Sequence, residues 1–239
     1  MQIREDPWLA DRMGRPVFRI EQAVTDGQPV DIGDLPGAGF YYAKLDVQDV
    51  GSARELTKLG LYVVDVSVTF RMQMPVDTGP AKRAEEVQVH DASPSHADDL
   101  VRIAGSCFRY SRFHLDPEIP TQLADQIKHD WIRSYVDRQR GECLLEAVID
   151  DRPVGFLAVL SCQDERGRGR AIDLVGVDTA YQGRGVGSRL VAHFVGAYKD
   201  EFDYLQVGTQ IANKPSLKLY QAAGFSISGA QYVFHAHIN

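Results

Sequence analysis

The sequence predicts an α/β fold on a mixed β-sheet, and three observations carry that reading. Strand and helix patterns alternate through the last two-thirds of the chain. A glycine-rich turn, Gln182-Gly183-Arg184-Gly185-Val186-Gly187, joins an apolar strand to an amphipathic helix. The strand–helix–strand pattern that closes the chain also occurs 164 residues earlier. With 239 residues the chain can bury a substantial core, since about 70% of the unfolded surface is removed at this size. Its 44% apolar and 25% charged residues are ordinary for a globular protein and exclude disordered, collagen-like and coiled-coil classes.

In chain order, alternation predicts a short strand over Val87–His90, and the turn Asp91–Ser95 supplies capping residues for a helix over Asp98–Phe108. Arg109–Pro120, with two prolines and several aromatics, reads as a loop. A helix follows over Thr121–Arg138, with Leu123, Ile127, Trp131 and Tyr135 at helical spacing. Cys143–Ile149 and Val154–Cys162 read as a hairpin around Asp150–Pro153, Asp164–Arg170 as a turn, and Ile172–Asp178 as a third strand. Helix Val186–Ala197, strand Tyr204–Val207, helix Ser216–Ala222 and a closing strand pair within Ser226–Ile238 complete the order.

The repeat is fixed by setting Gly60 against Gly224, which places Phe70 on Phe234, Ser52 on Ser216, Asp49 on Asn213 and Ala43 on Val207. Leu56 stands where the second copy has Tyr220. Between the copies, Met74–Arg83 combines two prolines, a glycine and polar residues without periodicity, the pattern of a linker. A boundary near residue 80 divides the chain into units 1–80 and 81–239.

Charge and motifs narrow the function. Lysine and arginine number 26 against 33 acidic residues, a net charge of −7 with no basic stripe, which argues against nucleic acid as partner. Three separated cysteines without CxxC spacing indicate neither a disulfide framework nor a zinc site, and suit a reducing compartment. With no apolar run near 20 residues and no signal-type N-terminus, the expected location is cytoplasmic, away from membranes. His235 and His237 share a strand face but lack further ligands in their neighbourhood, so no metal is expected. Walker, GxSxG, HExxH and EF-hand patterns are absent.

The glycine turn leaves backbone N–H groups uncovered at the start of a helix, where the first amides have no internal partners and the dipole attracts anions. Arg184 adds a fixed charge. Ser188 occupies the third glycine position of the dinucleotide fingerprint, which disfavours a Rossmann enzyme. Further on comes Asn213-Lys214-Pro215-Ser216-Leu217-Lys218-Leu219-Tyr220, then Gln221-Ala222-Ala223-Gly224-Phe225. In these two linked motifs the chain resembles the GCN5-related N-acetyltransferases (GNAT).

That resemblance implies a mixed central sheet split near Val177 and preceded, over 1–80, by a truncated copy of the same unit. It implies acetyl-CoA as co-substrate, held by the main chain of Val175 and Val177, by Gln182, Gly183, Arg184, Gly185, Val186, Gly187 and Ser188, and by Asn213. Tyr220 would protonate the departing thiolate, while backbone N–H near Val177 would stabilise the oxyanion, a contribution of ~3 kcal/mol in comparable sites. Asp173 and Glu146 are candidates for the base, as is an ordered water chain.

Over nearly its whole length the chain is also similar to the dTDP-4-amino-4,6-dideoxygalactose acetyltransferases, through Ser111-Arg112-Phe113, Thr209-Gln210-Ile211-Ala212-Asn213 and the partial first unit. The acceptor implied is a nucleotide-linked amino sugar, with Arg112 on its diphosphate, Phe113 packing on base or sugar, and His114 and Gln210 beside them. A peptide or small-amine acceptor, or a non-catalytic acyl-CoA-binding module, are the alternatives; Tyr220 and Asn213 speak for catalysis. An exposed edge on the closing strands would allow a homodimer.

Overall fold

Residues 2–22, 35–74 and 87–239 are described by a computed structural model; the linker candidate lies outside them except for Met74. The order is β1 (Gln2–Glu5), α1 (Pro7–Met13), β2 (Val17–Gln22), β3 (Gly39–Asp46), α2 (Val50–Lys58) and β4 (Tyr62–Gln73). It continues with β5 (Gln88–Asp91), α3 (Ala97–Cys107), α4 (Arg112–Leu115), α5 (Thr121–Val136), β6 (Cys143–Ile149), β7 (Arg152–Asp164) and β8 (Gly167–Val177). Last come α6 (Val186–Tyr198), β9 (Tyr204–Gln210), α7 (Lys214–Ala222) and β10 (Ser226–Ile238).

The described strands form one ten-stranded mixed sheet ordered β1-β2-β3-β10-β4-β9-β8-β7-β6-β5. The two units therefore exchange a strand: β4 pairs with β9, and β10 pairs with β3. Where the sequence suggested a closing strand pair, β10 is one strand of 13 residues, and a register shift between Ile227 and Gly229 takes up the expected turn. β10 is paired on both sides over Gln231–His235 and lies inside the sheet, whose described edges are β1 and β5.

The repeat holds at atomic detail. Asp49 and Asn213 cap α2 and α7 at the same φ −83° and ψ 68°, accepting from the amides of Ser52 and Ser216. Gly60 and Gly224 follow at φ 84° and 91°, a conformation that only glycine adopts cheaply. The parallel pairing of β2 with β3 runs from Val17↔Phe40 to Ile20↔Ala43. That of β8 with β9 runs from Gly169↔Tyr204 to Ile172↔Val207, on the same four positions of the second strand.

On one face of the sheet, α6 inserts Val186, Leu190, Val191, Phe194 and Val195 among residues of β4 and β6–β9. Burial of such side chains contributes roughly 1.5–3 kcal/mol each. The other face is covered by α3 and α5, whose Leu100, Ile103, Ile132 and Tyr135 meet Leu144, Phe156 and Leu174. The N-terminal half of α5 continues into a second cluster with Leu9, Phe40, Phe113 and Ile119, so this helix bridges the two units. The expected loop 109–120 contains α4, and the expected turn 164–170 is mostly strand, because Gly167–Arg170 pair with β7 beyond the core. Among the described residues no helix is long and apolar enough to cross a membrane.

Candidate active site

A bulge opens the sheet. Ala158 pairs with Leu174 and Val159 with Ile172, which leaves Asp173 as the extra residue of β8. Bulges bend a strand and increase its twist, and the pairing of β8 with β9 ends at the residue before it, Ile172↔Val207. The split thus begins at Ile172, five residues earlier than the sequence suggested. Between the separated ends lies a cleft of about 910 Å³ lined by Asp173–Val177 on one side and Val207–Gln210 on the other.

The amide of Asp178 bonds Val154 O of β7 at 2.9 Å. Strand alternation then turns the N–H groups of Val177 and Val175 away from β7, toward the cleft. Gln182 Nε2 donates to Val177 O at 3.1 Å and ties the following turn to the strand. Gly183 and Gly185 hold φ of 76° and 82°, with nothing within 4 Å of where a Cβ would stand. No side chain caps α6, so its first amides, at Val186, Gly187 and Ser188 on the cleft wall, remain available. This uncapped, glycine-cleared N-terminus beside an unpaired strand edge fits a pantetheine arm and its pyrophosphate. Arg184 is exposed and stands outside the lining, stacked at 5.1 Å on the ring of Tyr181, which lines the cleft.

Across the cleft, Asn213 accepts from Ser216 N–H through Oδ1 at 3.2 Å, which fixes its amide nitrogen as the free donor. Two turns on, Tyr220 lines the cleft at 2% exposure. Its ring packs at 5.8 Å from Phe70 and 6.2 Å from Phe225. Burial pushes its hydroxyl above the usual phenol range, so it stays protonated at neutral pH. The Cys107 thiol, also in the lining, is pushed up to about 12 by burial, which disfavours its thiolate at neutral pH. Gln210 lines the cleft at the end of β9.

Other predicted positions divide. Asp173 faces the cleft but accepts from Trp131 Nε1 (2.8 Å), Tyr135 Oη (2.8 Å) and Arg140 Nε (2.9 Å). Glu146 does not reach the site: fully buried on β6, it accepts from Ser93 N–H (3.1 Å) and pairs with His96 Nδ1 (3.0 Å). Arg112 and Phe113 both line the cleft, the Phe113 ring at 1% exposure and packed on the core cluster of Leu9, Phe40 and Ile119. His114 points away from the cleft, between Ser111 Oγ (2.6 Å) and Asp125 Oδ1 (3.0 Å).

Sequence reasoning missed Lys44 and Ser67 of the first unit and Lys128 of α5, all in the lining. Lys128 shares a helical face with Ala124, Trp131 and Tyr135, a lysine in an otherwise buried stripe and the signal that marked it. His235 and His237 converge on Asp116 Oδ2, at 2.6 and 3.0 Å.

Residues 98–225 match the acetyltransferase (GNAT) family. The chain is 22% identical over 197 residues to the spore coat polysaccharide biosynthesis protein SpsD of Bacillus subtilis, covering 82% of this chain and 66% of that protein. It is 28% identical over 207 residues to the mycothiol acetyltransferase of Mycobacteroides abscessus, covering 82% of this chain and 60% of that one. It thus spans less than two-thirds of either relative. A crystal structure of a GCN5-related N-acetyltransferase from Sphaerobacter thermophilus superposes with a TM-score of 0.60 at 15% identity, over 85% of this chain and 61% of that one.

Proposed function

The chain belongs to the acetyltransferase (GNAT) family, and on that footing we propose that it moves an acetyl group from acetyl-CoA to the amine of a nucleotide-linked 4-amino-4,6-dideoxy sugar. The observation that carries the transfer is the placement of Tyr220 opposite the unpaired edge of β8, within one cleft. The uncapped start of α6, with Gly183, Gly185, Gly187 and Ser188, holds the pyrophosphate. The main chain of Val175 and Val177 holds the pantetheine arm, and Asn213 supplies a further donor.

The bond made joins the acceptor nitrogen to the acetyl carbon, and the bond broken is carbon–sulfur. Val177 N–H stabilises the negative charge on the carbonyl oxygen. Tyr220 Oη gives its proton to the thiolate, and the amine proton leaves to cleft water; Asp173 Oδ2 already accepts from three donors, and Glu146 is held by Ser93 and His96 outside the cleft. The raised pKa of the Cys107 thiol favours direct transfer over a covalent enzyme intermediate.

The sugar acceptor rests on the resemblance across the first unit, together with the likeness to a polysaccharide biosynthesis protein. Residues 1–80 act in this reading as a truncated copy without its own chemistry, with Leu56 at the Tyr220 position. The test is thiol release from acetyl-CoA with dTDP-4-amino-4,6-dideoxygalactose beside a no-acceptor control. Release that depends on the acceptor supports the reading; no release above the control overturns it.

A further inference from the structure

The acceptor half of the cleft is cationic in a protein of net charge −7. Lys44 from β3, Arg112 from α4 and Lys128 from α5 all line it. None of the three has a carboxylate partner among the described residues. Lys128 is 6% exposed and makes no hydrogen bond there, only ring contacts, at 4.7 Å from Trp131, 5.2 Å from Phe108 and 5.9 Å from Phe113. Arg112 lies 4.3 Å from the same Phe113 ring and 4.0 Å from Tyr42.

Arg112 is also fixed from behind. Its Nη1 donates to His235 Nε2 at 3.2 Å, and His235 Nδ1–H donates to the buried Asp116. Arginine can only donate, so His235 is held neutral with its proton on Nδ1, in keeping with a pKa pulled down to about 4 chiefly by burial. Asp116 is held in turn by Tyr62 Oη and Glu118 N–H, at 2.8 and 2.9 Å. The neighbouring Arg109 is spent on the carbonyls of Ser106 and Phe108. Asp173, the carboxylate among the described lining residues, already has three donors.

Buried charges are ordinarily paired. Lys128 is buried, Arg112 half-buried and Lys44 at the open side of the cleft. Arg112 and Lys44 oppose the charge on Lys128, and Arg112 opposes that on Lys44, while no carboxylate among the described residues forms an ion pair with any of the three. We propose that Lys44, Arg112 and Lys128 form a phosphate-type anion subsite, separate from the glycine turn, that takes the diphosphate of the acceptor. The identity of that anion as part of the acceptor rests on the function proposed above; the subsite itself does not. Its walls come from both units, which gives the first unit a direct part in acceptor binding.

The test is calorimetric titration of the full chain with inorganic pyrophosphate, with CoA present at saturation so that the glycine turn is filled. Pyrophosphate should still bind, and Lys128→Met and Lys44→Met should each weaken it about tenfold or more while CoA affinity changes less than twofold. Lys128→Met removes an unpaired buried charge and should fold at least as well as the parent; Lys44→Met, at the open side of the cleft, gives a second arm. Loss of all pyrophosphate binding when CoA is added would assign the anion to the glycine turn and overturn the subsite. So would unchanged affinity in both variants. Pyrophosphate binding that needs the lysines, without thiol release from any nucleotide-linked amino sugar, keeps the subsite and removes the acceptor.

Discussion

Ser67 pairs across the sheet with Gln231, the residue 164 positions later that occupies its own place in the repeat. A strand can lie antiparallel to its own copy in this way only if a local two-fold passes through that pair. The outer ladders obey the same symmetry, since Ser67 faces Gln210 on β9 while Gln231 faces Asp46 on β3. Each unit therefore completes its sheet with the other's strand. Equilibrium unfolding should be one cooperative transition by far-UV circular dichroism and by tryptophan fluorescence alike. Two separated midpoints would contradict the shared sheet.

Tyr220→Phe keeps the ring between Phe70 and Phe225 and removes only the hydroxyl. Turnover should fall by about 10²–10⁴-fold, the span associated with a positioned general acid, while acetyl-CoA affinity stays within a few-fold. Steady-state rates together with CoA titration separate the two. Unaltered turnover would take Tyr220 out of the chemistry.

The two flanking glycines of the turn need their conformation, and the third does not. Gly185→Ala places a side chain at φ 82°, a cost of ~1–2 kcal/mol, and should weaken CoA binding. At Gly187 an added Cβ meets Leu219 Cδ2 at 3.5 Å and Val177 Cγ2 at 3.8 Å, ordinary contacts, so Gly187→Ala should be milder. Equal losses in the two variants would show that open space, rather than φ, sets the requirement.

Much of this site was legible beforehand, and the failures share a cause. Gln182–Gly187 and Asn213–Tyr220 announce themselves because each is a local device: φ-restricted glycines, a helix cap and a residue two turns on. The acceptor wall is non-local. Lys44 reaches the cleft only because β10 enters the first unit, and β10 read as a strand pair because Ser228-Gly229 resembles a turn when its sheet neighbours are unseen. His114 stands outside the lining for a related reason: a one-turn helix has no periodicity to show which side faces inward. Asp173 was picked out as acidic, but its bulge depends on the register of β7.

Glu146→Gln should leave turnover unchanged and lower stability by about 1–3 kcal/mol, since it disturbs a buried acceptor of the Ser93 amide and the His96 ring. Denaturant melts and kcat measured on the same preparation decide this. A large fall in kcat at parental stability would return Glu146 to the list of bases.

Lys128 gives a pH signature. Burial pulls it from 10.5 to about 8, with Arg112 and Lys44 opposing its charge and Asp173 and Cys107 favouring it. Between about pH 8 and 10.5 the unfolded chain binds more protons than the folded one, so stability should rise with pH by up to about 3 kcal/mol. Anion affinity should fall over the same interval as the ammonium is lost. Lys128→Met should make both trends shallower, as read by pH-dependent melts and pyrophosphate titration, with Lys44, lowered to about 8 as well, supplying what remains. Slopes equal to the parent's in that variant would assign the titration to another group.

The exchanged strands also set a timetable for the nascent chain. The first unit emerges from the ribosome about 150 residues ahead of the strand it needs, and must wait with one flank of β3 uncovered until β10 arrives. Pairings so distant in sequence are slow to form. The waiting flank of β3 is then the place where a chaperone, or a second unfinished chain, would compete for this protein.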